Sequence, residues 1–182
     1  DLTVEVSLAA TWPEGSVRIA VVSDTHNNRT YSARAVEIIA RRGIGRVIHC
    51  GDVTSGDYLL EVFSEFELHV VLGNIDRDPA DIRTALRGLP EGSTVDDVYE
   101  TTVDGVALAA CHGHTRTRTD LIERGTFGFV FHGHSHRRRD ERHGPTRVVN
   151  PGSLGGLKRE TRSFCIVDPA RDEVEFIELA AE

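Results

Sequence analysis

The chain lacks the features that mark membrane-spanning proteins and small disulfide-bonded proteins. No apolar run in its 182 residues approaches the ~20 residues that a membrane-spanning helix needs, so we expect no membrane partner. Its three cysteines, Cys50, Cys111 and Cys165, are too few and too widely spaced for a disulfide framework or a cysteine-based zinc finger. We expect three buried thiols instead.

Positive charge is also scarce. The chain carries 21 lysine and arginine residues against 29 aspartate and glutamate residues, which gives a formal net charge of −8. We therefore expect no broad electropositive face and no stable binding of nucleic acid. No N-terminal segment has the basic and then apolar composition of a signal peptide, so we expect a cytoplasmic protein. The length fits a single domain over residues 1–182.

The first half of the chain alternates between strand and helix patterns. Short apolar runs at 18–23, 46–50 and 68–72 predict buried strands. Apolar residues at helical spacing predict three helices, marked by Tyr31, Ala35, Ile38 and Ile39, then by Leu59, Val62, Phe63 and Phe66, and then, after an Asp78-Pro79 cap, by Ile82, Ala85, Leu86 and Leu89. This alternation favours parallel strands with helices packed on the sheet.

The second half is richer in strands. It predicts a hairpin of 98–103 and 106–110, a short helix near 117–124, and strands at 127–131, 147–149, 163–167 and 174–179. With the first half, these elements predict an α/β fold in which two mixed sheets stack against each other and helices cover the outside.

A polar residue follows each of five predicted strands. These residues are Asp24, Asp52, Asn74, His112 and His134, and a glycine lies beside most of them. Ligands of α/β proteins collect at the carboxyl ends of strands, where the loops leave a crevice. Glycines allow tight turns and close backbone approach there, so we expect these groups to converge.

The converging groups offer carboxylate and amide oxygen together with imidazole nitrogen, and no thiolate is needed. This donor set suits manganese, iron, zinc or cobalt. A central carboxylate can bridge two such ions ~3.5–4 Å apart, an arrangement used for metal-assisted hydrolysis of phosphate esters.

Five motifs occur in the order found in a known family. They are Ser23-Asp24-Thr25-His26, Gly51-Asp52, Gly73-Asn74-Ile75-Asp76, Cys111-His112-Gly113-His114 and Gly133-His134-Ser135-His136, with Asn150-Pro151-Gly152-Ser153 as a further signature. As an ordered set, they resemble the calcineurin-like metallophosphoesterases, and specifically the small single-domain bacterial and archaeal phosphodiesterases. The resemblance implies a four-layer αββα sandwich.

The resemblance also implies a ligand set for two divalent metal ions. The first ion would be held by Asp24, His26, Asp52 and His136, and the second by Asp52, Asn74, His112 and His134, with Asp52 as the bridge. Manganese is favoured, with iron, zinc, cobalt or nickel as alternatives. The implied reaction is hydrolysis of a small phosphate diester through a metal-bridging hydroxide.

One position departs from the pattern of many superfamily members. They have histidine directly after the Gly-Asn pair, where this chain has Ile75. Isoleucine cannot donate a proton. His114 is therefore a catalytic candidate in addition to Asp52, with a surface histidine as the alternative interpretation. His132 could be a ligand, but a packing role is favoured. We expect His49, His69 and His143 to be structural or surface residues.

Two other functions stay open. A non-catalytic scaffold on the same fold, like the retromer subunit that resembles this family, would also lack the histidine at position 75. A phosphomonoesterase or nucleotidase would need extra cationic contacts, for which Arg116, Arg118 and the run 137–139 are candidates, although such a run is more typical of a solvated face. The sequence leaves homo-oligomerisation open.

Overall fold

The computed structural model describes residues 15–180 and contains two β-sheets and four α-helices. The first half contributes β1 (Ile19–Val22), α1 (Arg29–Arg41), β2 (Arg46–His49), α2 (Gly56–Phe63), β3 (Glu67–Val71), α3 (Pro79–Ala85) and β4 (Thr94–Asp96). The second half contributes β5 (Val98–Val103), β6 (Val106–Cys111), α4 (Thr117–Arg124), β7 (Phe129–Phe131), β8 (Arg138–His143), β9 (Thr146–Pro151), β10 (Arg162–Asp168) and β11 (Glu173–Leu179).

Both sheets are mixed. The six-stranded sheet has the order β11-β10-β1-β2-β3-β4, in which β1 to β4 are parallel and β10 and β11 are antiparallel to their neighbours. The five-stranded sheet has the order β5-β6-β7-β9-β8, with a parallel centre of β6, β7 and β9 and an antiparallel strand at each edge. The parallel strands of each sheet therefore end at a common edge.

Three hydrophobic clusters separate four layers. In β1, Ala20 and Val22 face the cluster beneath α1, α2 and α3, whereas Ile19 and Val21 face the cluster between the two sheets. A third cluster lies under α4, where Leu121 packs over the five-stranded sheet. The central strands are buried on both faces, which explains their continuous apolar runs. The predicted αββα sandwich is confirmed.

The structure differs from the sequence prediction in local details. It contains two strands that were not predicted, β4 and β8, each paired at the edge of a sheet. Phe66 follows the end of α2, yet it is buried in the same cluster as that helix. Leu86 begins a 3₁₀ turn that ends at Gly88, so Leu86 and Leu89 lie beyond α3. The predicted cap of α3 is present, since the Asp78 side chain accepts a hydrogen bond from the backbone N–H of Asp81.

The structure bears on the expectations for the cysteines and for membrane-spanning segments. Cys50, Cys111 and Cys165 are all free and buried, as predicted. Burial raises the pKa of the Cys111 thiol to about 11 and that of Cys50 well above its ordinary value. Within residues 15–180, no helix combines the length and the apolar character that crossing a bilayer requires.

The cluster between the sheets should carry much of the stability. Phe129 is buried there and stacks on Phe131, with ring centroids 5.7 Å apart. Replacing Phe129→Ala should lower the free energy of unfolding by about 3–5 kcal/mol, because the sheets cannot close the cavity fully. Urea denaturation measures this loss. The exposed Val17→Ala serves as the control and should change stability by less than about 0.5 kcal/mol; equal losses in the two variants would contradict the assignment of the core.

Candidate metal centre

The turns at the carboxyl ends of the parallel strands carry the predicted site residues. Asp24 and His26 follow β1, Asp52 follows β2, and Asn74 follows β3. The five-stranded sheet supplies the other three, His112 after β6 and then His134 and His136 after β7. The two sheets thus deliver seven side chains to one crevice.

Four of these side chains form one group. One ligand atom from each of Asp24, His26, Asp52 and His136 lies within 4.8 Å of the others. His26 Nε2 is 3.4 Å from His136 Nε2 and 3.7 Å from Asp52 Oδ2, and His136 Nε2 is 3.2 Å from Asp24 Oδ1. These four residues are the predicted ligands of the first ion.

The remaining three side chains form a second group on the other side of Asp52. Asn74 Oδ1 lies 3.0 Å from His112 Nε2 and 3.1 Å from His134 Nδ1. His112 Nε2 is also 3.3 Å from Asp52 Oδ1. The two carboxylate oxygens of Asp52 therefore face different groups, which is the geometry that a bridging ligand needs.

Hydrogen bonds outside the crevice orient the imidazoles. His112 Nδ1 lies 2.7 Å from the Cys50 carbonyl oxygen, and His136 Nδ1 lies 2.8 Å from that of Leu157. A carbonyl oxygen can only accept, so each Nδ1 carries a proton and Nε2 is the ring nitrogen that faces the crevice. Asp24 adds a buried Oδ1, which lies 3.2 Å from His136 Nε2. These converging oxygen and nitrogen atoms are of the types that bind divalent cations.

The site histidines differ in their electrostatics. Burial lowers the pKa of His26 and of His134 below the ordinary value. Burial lowers the pKa of His112, but its hydrogen bond to Asp52 and the charges of Asp24 and Asp52 outweigh burial and raise the pKa above its ordinary value. The hydrogen bond to Asp24 likewise raises the pKa of His136. Burial disfavours the charged form of Asp52, yet the contact with His112 keeps its pKa below the usual range.

Strained backbone aims the side chains inward. Five of the seven site residues have positive φ, namely Asp24 at 50°, His26 at 44°, Asp52 at 59°, His134 at 67° and His136 at 55°. This left-handed region is uncommon for residues other than glycine and costs conformational energy, so the surroundings must enforce it.

The Asp76 carboxylate enforces the turn around Asp52. It accepts backbone hydrogen bonds from Asp52 at 3.0 Å, Thr54 at 2.8 Å and Gly73 at 2.7 Å. Asp76 therefore ties the turn after β2 to the turn after β3. Asp76 ends the Gly73-Asn74-Ile75-Asp76 motif, and the motif alone does not indicate this role.

Asn150 has a corresponding role in the turn after β7. Its side-chain amide donates to the Gly133 carbonyl at 2.8 Å and to Ser135 Oγ at 3.1 Å. The backbone N–H of His134 also donates to Asp24 Oδ2, at 3.0 Å. These contacts fix the segment that presents His134 and His136, and they give a physical basis to the Asn150-Pro151-Gly152-Ser153 signature.

His49 is a structural residue, as expected, and it connects two of the turns. The ring is fully buried, and burial lowers its pKa to about 4, so it is neutral at pH 7. Its Nδ1 accepts from the Gly51 N–H at 3.1 Å, which leaves a proton on Nε2 to donate to Thr25 Oγ1 at 3.0 Å. Thr25 lies between Asp24 and His26. The only sequence signal is the position of His49 three residues before Asp52.

Two glycines permit the close approach of these turns. A methyl group at Gly73 would overlap Oδ1 and the backbone nitrogen of Asp52. A methyl group at Gly133 would overlap the Ser23 hydroxyl and approach Asp24 Oδ2 to 2.5 Å. The glycines beside the site residues are therefore required by space, as the sequence analysis inferred.

The other candidate residues lie around the two groups. Ile75 donates its backbone N–H to Asp52 Oδ1 at 3.2 Å. His114 is exposed, and its ring centroid lies 5.3 Å from that of His112 and 6.2 Å from that of His134. His132 is buried, and its Nδ1 lies 3.3 Å from the Asn150 amide, outside both groups.

The arginine candidates mostly pair with surface carboxylates. Arg116 contacts Asp120, Arg138 contacts Glu160 and Glu178, and Arg139 contacts Glu141. Such exposed pairs fit the interpretation of the run 137–139 as a solvated face.

Comparison with solved structures supports the fold. A structure described as that of a novel archaeal phosphodiesterase superposes with a TM-score of 0.82 at 27% identity, covering 89% of this chain and 99% of that one. Vacuolar protein sorting 29 from Cryptosporidium parvum shares the fold with a TM-score of 0.62 at 15% identity, covering 91% of this chain and 99% of that one.

Comparison of sequences identifies the family. The chain is 29% identical to phosphodiesterase MJ0936 of Methanocaldococcus jannaschii over 169 residues, which covers 90% of this chain and 99% of that protein. The model of the calcineurin-like phosphoesterase superfamily domain matches residues 17–172. Because this match spans most of the chain, the protein belongs to the calcineurin-like phosphoesterase superfamily.

Proposed function

We propose that the protein is a phosphodiesterase that works with two divalent metal ions. The observation that carries this proposal is the arrangement of two groups of acceptor atoms around the two oxygens of Asp52. Membership of a phosphoesterase family and the likeness to a named phosphodiesterase supply the reaction class.

The residues present fit a pair of metal ions. Asp24 Oδ1 is buried at the site, and Nε2 of His112 and of His136 faces the crevice because Nδ1 of each ring donates to a carbonyl oxygen. Asp24, His26, Asp52 and His136 would hold one ion, and Asp52, Asn74, His112 and His134 the other. When bound, the ions would supply an activated water and neutralise charge on the phosphate. Oxygen and imidazole donors favour manganese, with iron, zinc, cobalt and nickel as alternatives.

The side chains beside the metal ligands would govern departure of the leaving alcohol. Ile75 offers no proton, and its N–H is already engaged with Asp52. His114 is the nearest exposed imidazole to the second group of ligands. We therefore assign the solvent-exposed His114 a weak role in protonating the leaving group. We expect the rate of departure to depend strongly on the pKa of the leaving alcohol.

The likeness to a phosphodiesterase favours a diester over a monoester. A monoester carries additional charge that needs further cations, and three of the candidate arginines, Arg116, Arg138 and Arg139, are paired with carboxylates. A scaffold function has less support, because a scaffold does not need seven converging acceptor groups. The likeness to vacuolar protein sorting 29 concerns the fold alone.

The proposal is tested by metal content and turnover together. Protein loaded with Mn²⁺ should contain two ions per chain by elemental analysis and hydrolyse bis(p-nitrophenyl) phosphate faster than p-nitrophenyl phosphate. Asp52→Asn should remove at least one ion and lower turnover by about 100-fold or more, because a single substitution weakens both sites. Asp104→Asn is the matched control, since Asp104 also has positive φ (49°) but lies in the β5–β6 turn. Fully loaded protein without turnover would favour the scaffold, and preference for the monoester would favour the phosphomonoesterase.

A leaving-group series tests the consequence of Ile75. For aryl methyl phosphates, the rate should fall steeply as the pKa of the departing phenol rises, because proton donation contributes little. His114→Asn should steepen the dependence further, whereas His143→Asn, at the far end of β8, should leave it unchanged. A flat dependence in the unmodified protein would contradict weak assistance, and an unchanged slope in His114→Asn would remove His114 from the mechanism.

The hydrogen bonds of His49 should be needed for metal affinity. We expect His49→Phe and Thr25→Val to weaken Mn²⁺ binding by about 10–100-fold in calorimetric titrations, because the turns that carry Asp24, His26 and Asp52 lose their side-chain link and keep only backbone hydrogen bonds between them. Thr25→Ser keeps the hydroxyl and should bind nearly as well as the unmodified protein.

The control for His49 is another buried histidine. His69 bonds to Thr94 and Glu67 and stacks on Tyr99 at 4.1 Å, without touching the site residues. His69→Phe should therefore lower stability while leaving Mn²⁺ affinity unchanged. Unaltered affinity in folded His49→Phe would disprove the role of His49.

A further inference from the structure

A cleft of about 260 Å³ adjoins the candidate metal centre. It is lined by His134, Ser135, His136, Leu157 and Arg159. Two of these residues, His134 and His136, belong one to each group of predicted ligands, so a phosphate at the centre would have a substituent within reach of the cleft. The other wall is the segment 155–159, which the family resemblance assigned no role.

The backbone of this segment is anchored to the site. The backbone N–H of Gly155 donates to the Asp24 carbonyl at 2.8 Å, and the Leu157 carbonyl accepts from His136. The buried guanidinium of Arg162 donates to the carbonyls of Gly155 and Gly156 and to Ser153 Oγ. The segment therefore presents its side chains from a fixed base.

The segment presents an exposed apolar side chain together with an exposed cation. Leu157 is 62% exposed, and only Val17 joins it as an exposed large hydrophobic residue in the part of the chain that the structure describes. Arg159 is exposed and, within residues 15–180, lies within ion-pair distance of no carboxylate. The adjacent Glu160 is already engaged with Arg138.

The side chains of Leu157 and Arg159 indicate which chemical groups a substrate could place in the cleft. The apolar surface of Leu157 suits a flat ring, which would otherwise be exposed to water. Arg159 can pair with a further anionic group of the substrate. In a protein of net charge −8, an anionic group needs such local positive charge to bind.

We propose that segment 155–159 selects the substrate of this site: Leu157 packs against an aromatic substituent of the phosphodiester, and Arg159 pairs with a second anionic group on that substituent. The substrate class is an aryl or heteroaryl phosphodiester with additional negative charge. This inference rests on the proposed phosphodiesterase function, and it adds a specificity that the metal ligands alone cannot provide.

The test compares three symmetric diesters as ligands of the Mn²⁺-loaded protein. Dimethyl phosphate, diphenyl phosphate and bis(4-carboxyphenyl) phosphate are titrated calorimetrically. Diphenyl phosphate should bind about 10-fold more tightly than dimethyl phosphate, because a ring is removed from water. Bis(4-carboxyphenyl) phosphate should gain about a further 3-fold from the exposed pair with Arg159.

Matched variants separate the two contacts. Leu157→Ala should abolish the preference for phenyl over methyl, and Arg159→Gln should abolish only the gain from the carboxylate. Val17→Ala and Arg87→Gln, which remove an exposed apolar side chain and an exposed cation outside the cleft, should change neither preference.

The outcomes distinguish this inference from the function on which it rests. Turnover of bis(p-nitrophenyl) phosphate with equal binding of the three diesters, or with preferences that survive both variants, would overturn the role of the segment and leave the phosphodiesterase intact. Absence of both turnover and diester binding in metal-loaded protein would overturn the two together.

Discussion

Close approach of polar side chains in a partly buried crevice is the constraint on which the site depends. His112 Nε2 lies about 3 Å from both Asn74 Oδ1 and Asp52 Oδ1, and electrostatic interactions there are weakly screened. The fold must hold these groups together before any cation compensates them. It does so by turns in left-handed conformations, which the carboxylate of Asp76 and the neutral ring of His49 hold in place.

The stacking of two sheets supplies the rigidity that those turns need. The six-stranded sheet provides Asp24, Asp52 and Asn74, while the five-stranded sheet provides His112 and His134. Neither sheet alone could complete either group of acceptors. The hydrophobic cluster between the sheets therefore aligns the halves of the site, in addition to stabilising the fold. Packing at Phe129 and chemistry at Asp52 are linked through this alignment.

The sequence predicted the architecture and the convergence of the site residues because both depend on regular patterns. Buried parallel strands have long apolar runs, and polar residues after such strands must meet at one edge. The ends of α2 and α3 were harder, because Phe66 and Leu89 continue the apolar pattern after the helix has ended. Tertiary burial, and not helix formation, accounts for those residues.

Other features left no periodic signal in the sequence. The three residues of β4 gain their partners only through β3, and a segment so short has no pattern of its own. The sequence indicated a structural histidine at position 49 but not its contact with Thr25, because that residue lies 24 positions away along the chain. Asp76 is one acidic residue among many until its three backbone donors are placed around it. Such roles depend on long-range contacts that spacing along the chain does not encode.

The charged strand β8 has a consequence for the protein as a whole. Its sequence, Arg-Arg-Asp-Glu-Arg-His, occupies the outer position of the five-stranded sheet. An open sheet edge is a template for pairing with another chain, and charged side chains make that pairing unfavourable. The arginines of β8, first considered as a phosphate-binding patch, thus disfavour edge-to-edge aggregation, so that solubility at high concentration depends on a strand that begins two residues after His136.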